Sequence, residues 1–248
     1  MKALVTGASS GIGREIAILL DGMGYDIIAV ARREDRLSGL KSILKNSTEI
    51  RTADLSKKEE CEKLFADFPD IDVLINNAGF GVFGEFGKTE IEDELEMISV
   101  NIAALHILTK LYLKSFCRKN RGYILNVASS AAFFPGPLFS SYYASKAYVY
   151  RLSRAIRYEL KKEHSNVSVS VLCPGPVDTE FSSVAGVKFG IGALSAKAVA
   201  KKAVSGLFSK KLVIVPGFGI KCTRFLSKIC PDVLAEKVVY RIQKAKEM

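Results

Sequence analysis

A tyrosine and a lysine four residues apart, Tyr142 and Lys146, are the pair of side chains best suited to proton transfer. Side chains at i and i+4 lie on one face of a helix. A phenol has a pKa of about 10, too high for efficient proton exchange at neutral pH. A neighbouring ammonium group favours the phenolate, so we expect Lys146 to lower this pKa and make Tyr142 a general acid or base. Taken alone, such a pair is more often part of an exposed helix surface.

A serine hydroxyl is predicted at the edge of a sheet. Ser129 and Ser130 follow the apolar segment 123–127, which has the character of a strand. In open sheets of parallel strands, ligands bind beyond the carboxyl ends of the strands. We therefore expect one of these hydroxyls to face a ligand.

A glycine-rich turn between the first strand and the first helix predicts a phosphate-binding site. Glycines allow backbone N–H groups to approach pyrophosphate oxygens, and a helix N-terminus adds a partial positive charge. A tight strand-to-helix turn is the alternative, but it would not need three glycines at this spacing. The segment reads Thr6-Gly7-Ala8-Ser9-Ser10-Gly11-Ile12-Gly13-Arg14.

The end of the second strand indicates which dinucleotide binds. NAD sites place Asp or Glu there for the ribose 2′-hydroxyl, whereas this sequence has Arg32 and Arg33. A guanidinium group matches the geometry of phosphate oxygens. We predict that Arg32, helped by Arg33 or Arg14, selects NADP(H). The alternative is a surface charge cluster paired with Glu34 and Asp35.

Short apolar segments alternate with longer stretches of helical period along the whole chain. Strands separated by helix-length crossovers indicate a parallel sheet covered on both faces. No repeat, linker or change of composition marks a second domain. We expect one α/β domain over residues 1–248, a doubly wound parallel sheet of the Rossmann type with seven strands, at 2–6, 26–31, 48–53, 71–75, 122–128, 166–172 and 211–215.

The composition is ordinary for a globular protein, with 248 residues, 48% of them hydrophobic and 25% charged. No apolar run approaches the ~18 residues of a membrane span. The segment Lys2–Thr6 has strand character where a signal peptide would lie, so a cytoplasmic location is expected. Five cysteines without metal-ligand spacing, and only two histidines, predict reduced, mostly buried thiols and no metal site.

Together these motifs resemble those of the short-chain dehydrogenase/reductase family, and the resemblance covers most of residues 1–180. Each motif is modest, but their joint occurrence in the family's order is specific. Beside the glycine-rich turn, the matching residues are Asp54-Leu55, Asn76-Asn77-Ala78-Gly79, Asn101, Asn126-Val127-Ala128-Ser129-Ser130, Tyr142 with Lys146, Pro174-Gly175 and Thr179.

The resemblance implies a catalytic set of Asn101, Ser129, Tyr142 and Lys146. Tyr142 would exchange a proton with the substrate oxygen, and Ser129 would stabilise the developing oxyanion. Lys146 would hold the nicotinamide ribose, and Asn101 would order a water that links the lysine to solvent. Ser129 is chosen over Ser130 because it lies three residues after Asn126 and thirteen before Tyr142.

Cofactor binding is predicted from the turn, the arginine pair and the resemblance taken together. Asp54 would bond the adenine amino group, and the backbone near Pro174 would meet the nicotinamide carboxamide. The predicted cofactor-binding residues are Gly7, Ser9, Ser10, Gly11, Ile12, Gly13, Arg14, Arg32, Arg33, Asp54, Leu55, Asn77, Ala78, Gly79, Tyr142, Lys146, Pro174, Gly175, Val177 and Thr179.

Phenylalanines concentrate on three segments expected to border the cleft. Apolar side chains beside a lid favour a hydrophobic carbonyl substrate over a sugar. The alternative, in which the rings only pack loops onto the sheet, is equally well supported. The glycine-containing segment around 176–195 is the predicted lid. The phenylalanines are Phe80, Phe83, Phe86, Phe133, Phe134, Phe139, Phe181 and Phe189.

The C-terminal tail, residues 218–248, resembles the tails of family members that reduce lipid-like ketones. Residues 201–248 contain eleven Lys or Arg against three Asp or Glu, and so carry most of the net charge of +10. Two helices are predicted, and they could dock on the domain, cover the cleft, form a dimer contact or lie on anionic lipid. Docking is expected, because an apolar stripe is usually core. The stripes are Cys222, Phe225, Leu226 and Ile229, then Leu234, Val238 and Ile242.

The sequence thus predicts an NADP(H)-dependent oxidoreductase that reduces a small apolar ketone or aldehyde, or oxidises the corresponding alcohol. An NADP(H)-sensing regulator is the alternative from another class, but it would not need a positioned proton donor. Nucleic-acid binding through the tail lacks an aromatic platform or a recognised motif. We expect a homo-oligomer, either a dimer or a tetramer.

Overall fold

The computed structural model describes residues 1–186 and 193–245. Each predicted strand is present, with its ends shifted by at most two residues. The strands in these ranges are β1 (Lys2–Thr6), β2 (Asp26–Ala31), β3 (Thr48–Thr52), β4 (Val73–Asn76), β5 (Tyr123–Val127), β6 (Ser168–Leu172), β7 (Val177–Asp178), β8 (Leu194–Ser195) and β9 (Val213–Ile214).

Helices connect these strands, and two shorter helical segments interrupt the regular pattern. A π-helical segment covers Ser99–Ala104, and a 3₁₀ turn covers Ser130–Phe133. The α-helices of the described ranges are α1 (Gly11–Asp21), α2 (Glu34–Lys41), α3 (Lys58–Asp67), α4 (Ile91–Ile98), α5 (Leu105–Lys119), α6 (Ser140–Lys162), α7 (Phe181–Val184), α8 (Ala196–Phe208), α9 (Phe218–Leu226) and α10 (Asp232–Lys244).

The main sheet has seven strands in the part of the chain that the structure describes, in the order β3-β2-β1-β4-β5-β6-β9. All neighbouring strands are parallel. The strand order reverses between β1 and β4, which makes the carboxyl edge there the usual ligand site of such sheets. The predicted doubly wound fold is therefore confirmed.

Both faces of the sheet are covered by helices. One apolar cluster joins the sheet to α1, α2 and α8, for example through Ile16, Leu37 and Val199. A second cluster joins it to α3, α5 and α6, for example through Leu64 and Phe116. Strands buried on both faces need continuous apolar sequence, which explains why β1 and β4 read as unbroken apolar runs.

Close packing of α1 on β1 depends on two glycines. Gly7 has φ +65°, in the left-handed region that favours glycine. A Cβ atom on Gly13 would lie 2.4 Å from the carbonyl oxygen of Gly7 and 2.4 Å from Nδ2 of Asn77. The glycine-rich turn therefore also brings the helix onto the strand, and its amino end onto the carboxyl edge of the sheet.

The tail forms the two predicted helices, but the prediction that their apolar stripes pack on the domain is wrong. No residue of α9 is buried. On α10 the buried residues are Ala235, Val239 and Gln243, one position beyond the predicted stripe. Two neighbouring stripes of α10 could face the protein, and the stripe that includes the small Ala235 does so. The larger predicted side chains lie exposed: Cys222, Phe225, Leu226, Ile229, Leu234, Val238 and Ile242.

Cys61 and Cys173 are buried, but Cys117 and Cys222 are exposed, so the prediction of mostly buried thiols is wrong. Within 1–186 and 193–245 no group of side chains could hold a metal ion, and no helix is long and apolar enough to span a membrane.

The predicted lid contains β7, α7 and β8, while residues 187–192, and with them Phe189, lie outside the described residues.

Candidate active site

A cavity of about 460 Å³ opens along the carboxyl ends of β1, β2, β4, β5 and β6. It brings together most of the predicted site residues, although they come from distant segments of the chain. Those on its wall are Gly7, Ser9, Ser10, Gly11, Ile12, Arg32, Arg33, Asp54, Leu55, Asn77, Ala78, Gly79, Ser129, Tyr142, Lys146, Pro174, Gly175, Val177 and Thr179.

Three predicted site residues are not on the cavity wall: Gly13, Arg14 and Asn101. Gly13 packs behind the turn, against Gly7. The guanidinium of Arg14 lies 3.7 Å from the carboxylate of Glu15. The structure thus gives Gly13 a packing role and places Arg14 away from the groups that face the cavity.

The glycine-rich turn presents the amino end of α1 to the cavity. The helix begins at Gly11, and Ser10 before it is extended. No acidic side chain lies in the first turn, so the unpaired N–H groups and the helix dipole favour an anion there. Thr179 approaches from the other side of the cavity, because a Cβ on Gly11 would be 3.0 Å from its methyl group.

The two arginines after β2 both form ion pairs with carboxylates. Arg32 Nη1 lies 2.6 Å from Oε1 of Glu96. Arg33 Nη2 lies 2.7 Å from Oε2 of Glu180 and donates hydrogen bonds of 3.2 Å to the hydroxyls of Ser9 and Ser10. Exposed pairs of this kind contribute only about 0–1 kcal/mol. A phosphate dianion can therefore replace either carboxylate at low energetic cost.

Ser129, beyond the end of β5, and Tyr142 on α6 both line the cavity, and Ser129 acts to lower the pKa of the Tyr142 hydroxyl. Lys146 follows one turn later on α6, with Nζ 5.7 Å from the centre of the Tyr142 ring. That ammonium group donates a 3.1 Å hydrogen bond to the carbonyl oxygen of Val127, which fixes it to β5. The predicted triad is thus assembled from one strand end and one helix.

Burial dominates the titration of this triad. It raises the pKa of Tyr142 above its ordinary value, although the hydrogen bond from Ser129 acts in the opposite direction. Burial also lowers the pKa of Lys146, to about 8. Both shifts favour the neutral form, since a charged group loses hydration when it is buried. The expected lowering of the phenol's pKa by Lys146 is therefore not seen in this structure.

Asn101 lies behind the cavity wall, in the π-helical segment Ser99–Ala104, and is almost fully buried. Its side-chain amide accepts a hydrogen bond from the backbone N–H of Phe80 and donates one to the carbonyl oxygen of Phe80. It also donates to Oγ of Ser145 at 3.1 Å. Asn101 thus connects the loop after β4 to α6, the helix that carries Tyr142 and Lys146.

Aromatic rings form the end of the cavity beside Tyr142. The ring of Phe139 stacks on that of Tyr142 at 4.5 Å, and the ring of Phe181 lies 5.4 Å away. Phe80 also lines this end. Of the other predicted rings, Phe83 packs against Phe139 and Phe133 against Tyr150, whereas Phe86 is exposed. Phe80, Phe139 and Phe181 thus line the cavity, while Phe83 and Phe133 pack against other rings; the apolar substrate stays a prediction.

The cavity wall also contains residues that are missing from the sequence-based set, among them Tyr143, Glu180 and Gln243. Tyr143 adjoins the predicted tyrosine. Gln243 Nε2, from α10, donates a 2.5 Å hydrogen bond to the Tyr143 hydroxyl across 100 positions of sequence. The basic residues around Arg33 indicate that a carboxylate such as Glu180 lies nearby. No local sequence pattern indicates that Gln243 reaches the cavity.

Comparison with known proteins agrees with this geometry. The profile of the short chain dehydrogenase family matches residues 1–188. The chain belongs to that family. It is 37% identical to NADP-dependent 3-hydroxy acid dehydrogenase YdfG of Salmonella typhi over 190 residues, which cover 74% of this chain and 76% of the relative. This membership confirms the predicted class of oxidoreductases that act on CH–OH and C=O groups.

Two further relatives extend the comparison. The 3-oxoacyl-[acyl-carrier-protein] reductase FabG of Rickettsia felis is 31% identical over 73% of this chain and 74% of its own. The structure of a short-chain dehydrogenase from Sphingobium yanoikuyae in complex with NADPH superposes with a TM-score of 0.85, at 28% identity and over 94% of both chains. The likeness therefore reaches beyond the segment matched by the family profile and includes most of the tail.

Proposed function

We propose that this protein uses NADPH to reduce an apolar ketone or aldehyde to an alcohol, and that it catalyses the reverse oxidation when the cofactor ratio favours it. The observation that carries this proposal is that Ser129 and Tyr142 line the same cavity at its aromatic end, with Lys146 one helical turn after Tyr142. A relative named for NADP dependence and a similar structure in complex with NADPH support the choice of cofactor.

The described residues fit NADP(H) at both ends of the cavity. The N–H groups of the turn at Gly11 suit the pyrophosphate, and Arg33 with the hydroxyls of Ser9 and Ser10 suits a 2′-phosphate. Gly79 lies on the cavity wall, where a Cβ would come within 2.6 Å of Oδ1 of Asn101 and 3.2 Å of Nζ of Lys146. The bound cofactor would supply the hydride.

The protein's own residues would then handle the oxygen of the substrate. The raised pKa keeps the hydroxyl of Tyr142 protonated, so that it can give its proton to the carbonyl oxygen in reduction. Ser129 donates a hydrogen bond to the same oxygen, where negative charge develops. Lys146, protonated below its pKa of about 8, stabilises the phenolate that Tyr142 becomes.

The substrate end of the cavity favours an apolar molecule with one further polar group. Phe80, Phe139 and Phe181 give apolar contact near the reacting carbonyl. The hydrogen-bonded pair of Tyr143 and Gln243 is the nearby polar feature among the lining residues that the structure describes. A substrate that carries a hydroxyl, amide or carboxyl group at a distance from its carbonyl would match this arrangement.

Asn101 is proposed as a positioning residue, because its hydrogen bonds hold Phe80 and Ser145 around the triad. The alternative of a cofactor-sensing regulator is not favoured, since such a protein has no use for a positioned proton donor. The single domain over residues 1–248, the lid around 176–195, the homo-oligomer and the cytoplasmic location stay predictions.

The proposal is tested by following NADPH and NADH oxidation with ketones and aldehydes of graded hydrophobicity. We expect turnover with NADPH that rises with the hydrophobicity of the substrate. Tight NADPH binding without turnover on any carbonyl would instead favour the regulator. Equal turnover with polar sugars would contradict the assignment of the aromatic end.

A further inference from the structure

The two tail helices expose an unusual amount of apolar surface. Nine large apolar side chains within residues 218–242 are between 40% and 80% exposed, half of all such exposed side chains in the described ranges. A surface of this kind marks an interaction site more often than a solvated face. We call it the tail surface; its members are Phe218, Phe225, Leu226, Ile229, Val233, Leu234, Val238, Tyr240 and Ile242.

The opposite side of the tail is fixed to the protein. Gln243, almost fully buried, reaches the Tyr143 hydroxyl, and Ala235 and Val239 are buried on the same side of α10. At the start of α9, the side chain of Ile220 lies against Gly175. The tail surface therefore belongs to helices that are anchored on the domain and cannot turn inwards without losing these contacts.

The tail surface is bordered by positive charge. Along α9 and the turn that follows it, Phe218, Phe225 and Ile229 share one side. The basic residues Lys221, Arg224 and Lys228 lie on another side, and Nε of Arg224 is buried there. On α10 the basic residues Lys237, Arg241 and Lys244 lie between Val233 and Leu234 around the helix, on the side opposite the buried residues. Within 1–186 and 193–245, none of these six side chains forms an ion pair with a carboxylate.

The charge distribution decides between a second copy of the chain and a lipid surface. A two-fold contact would place the tail surface of one copy on that of another, and so bring two basic rims together. In an anionic bilayer, the exposed apolar side chains can enter the hydrocarbon boundary while the neighbouring Lys and Arg residues contact negatively charged headgroups. Helices with Lys and Arg on one side and Phe and Leu on the other are typical of the lipid interface.

We propose that the tail surface binds an anionic membrane, with α9 and α10 lying on the bilayer and the sheet directed away from it. Because Gln243 projects from the inner side of α10 into the cavity, the substrate end of the cavity then lies close to the bilayer. This geometry would suit the apolar substrate of the proposed function. The membrane contact itself can be tested without any turnover.

The experiment measures co-sedimentation of the purified full-length protein with vesicles. Vesicles of phosphatidylcholine mixed with phosphatidylglycerol are compared with vesicles of phosphatidylcholine alone. We expect binding to the anionic vesicles at least about tenfold stronger, because each basic residue near the surface adds attraction. Binding should weaken between ~0.1 M and ~1 M salt, as the Debye length falls from about 10 Å to 3 Å.

Two matched double variants locate the binding surface. Phe225→Glu with Ile229→Glu changes the tail surface, while Met23→Glu with Ile43→Glu makes the same chemical change at exposed apolar residues outside it. Only the tail variant should lose vesicle binding, and circular dichroism should show both to be folded. Absence of vesicle binding in the native protein, or equal loss in both variants, would overturn the proposal.

A second copy as the true occupant would give a different result. Sedimentation velocity would then show an oligomer that the tail variant breaks and the control variant keeps, with no binding to vesicles. That combination would also overturn the proposal. Vesicle co-sedimentation and sedimentation velocity both work without a carbonyl substrate. They therefore test the membrane contact even if the proposed reductase activity is absent.

Discussion

The two ends of the cavity are built in opposite ways. At the catalytic end, Tyr142 and Lys146 are almost fully buried, and burial shifts both of their pKa values towards the neutral forms. At the far end, Arg32 and Arg33 are partly exposed and form ion pairs with Glu96 and Glu180. A proton donor needs a dry, rigid position, whereas a group that selects an ionic ligand can exchange one anion for another.

This contrast predicts that substitutions at the buried end change turnover, and that substitutions at the exposed end change affinity for the cofactor. A substitution at the buried end removes an interaction that is made only in the transition state, so kcat falls. A substitution at the exposed end removes cofactor binding that is equally strong in the ground state and the transition state, so KM rises while kcat is unchanged.

Ser129→Ala should lower turnover more than any substitution at the exposed end. Ser129 lines the cavity together with Tyr142, and loss of one oxyanion donor typically lowers kcat by about 10²–10³-fold. Ser130→Ala is the matched control, because the neighbouring Ser130 is held through its backbone N–H to Pro174. Steady-state kinetics with NADPH would measure both, and an equal loss in the two variants would contradict the assignment of Ser129.

The double variant Arg32→Ala with Arg33→Ala should raise the KM for NADPH by about 10- to 100-fold, because hydrogen bonds to a charged group contribute about 1.5–3 kcal/mol. The KM for NADH should hardly change. Arg14→Ala removes an arginine that lies outside the cavity wall and should leave both values unaltered. A preference for NADH in the native protein would refute the role of this pair.

Lys146→Met should change how stability depends on pH. Burial lowers the pKa of Lys146 to about 8, below its value in the unfolded chain. The unfolded chain thus binds more protons between these two pKa values, and the native protein gains stability as pH rises through that window. Urea denaturation at pH 7.5 and pH 9.5 should show this gain, on the order of 1–3 kcal/mol, only with Lys146 present. The same gain in stability between pH 7.5 and pH 9.5 in Lys146→Met would contradict the assignment of this pH dependence to Lys146.

Glu180→Gln should have the smallest effect. Glu180 pairs with Arg33 and also lies near Arg36, which lowers the pKa of its carboxyl group. Removing its charge frees Arg33 for a 2′-phosphate and should lower the KM for NADPH by about two- to fivefold, the value of an exposed pair. A rise in that KM would show that Glu180 supports the cofactor site instead of competing for it.

The predictable part of the fold is encoded locally. The end of β2 at Ala31 follows from an unbroken apolar run, and the triad follows because parallel strands end at the same edge of the sheet. Sequence alone assigns Gly13 to the cofactor, because a glycine needed for close packing has the same appearance in sequence as one needed for phosphate approach. In the structure, a Cβ on Gly13 would come too close to the carbonyl oxygen of Gly7, which shows that Gly13 is needed for close packing.

The tail shows the limit of such reasoning. Periodicity locates α9 and α10, but two adjacent stripes of α10 are both compatible with burial, and the choice depends on what each stripe meets. Gln243 faces inwards because Tyr143, one hundred residues earlier, offers a hydroxyl in the cavity. A contact of that kind leaves no trace in the local sequence.

The most direct test of the contrast between the two ends is NADPH binding and turnover measured together on Tyr142→Phe. The account predicts that the dissociation constant for NADPH stays close to that of the native protein while kcat falls by about 10²–10⁴-fold, the usual contribution of a positioned acid. Turnover close to the native value in this variant would contradict the proposed role of Tyr142 and, with it, the assignment of chemistry to the buried end.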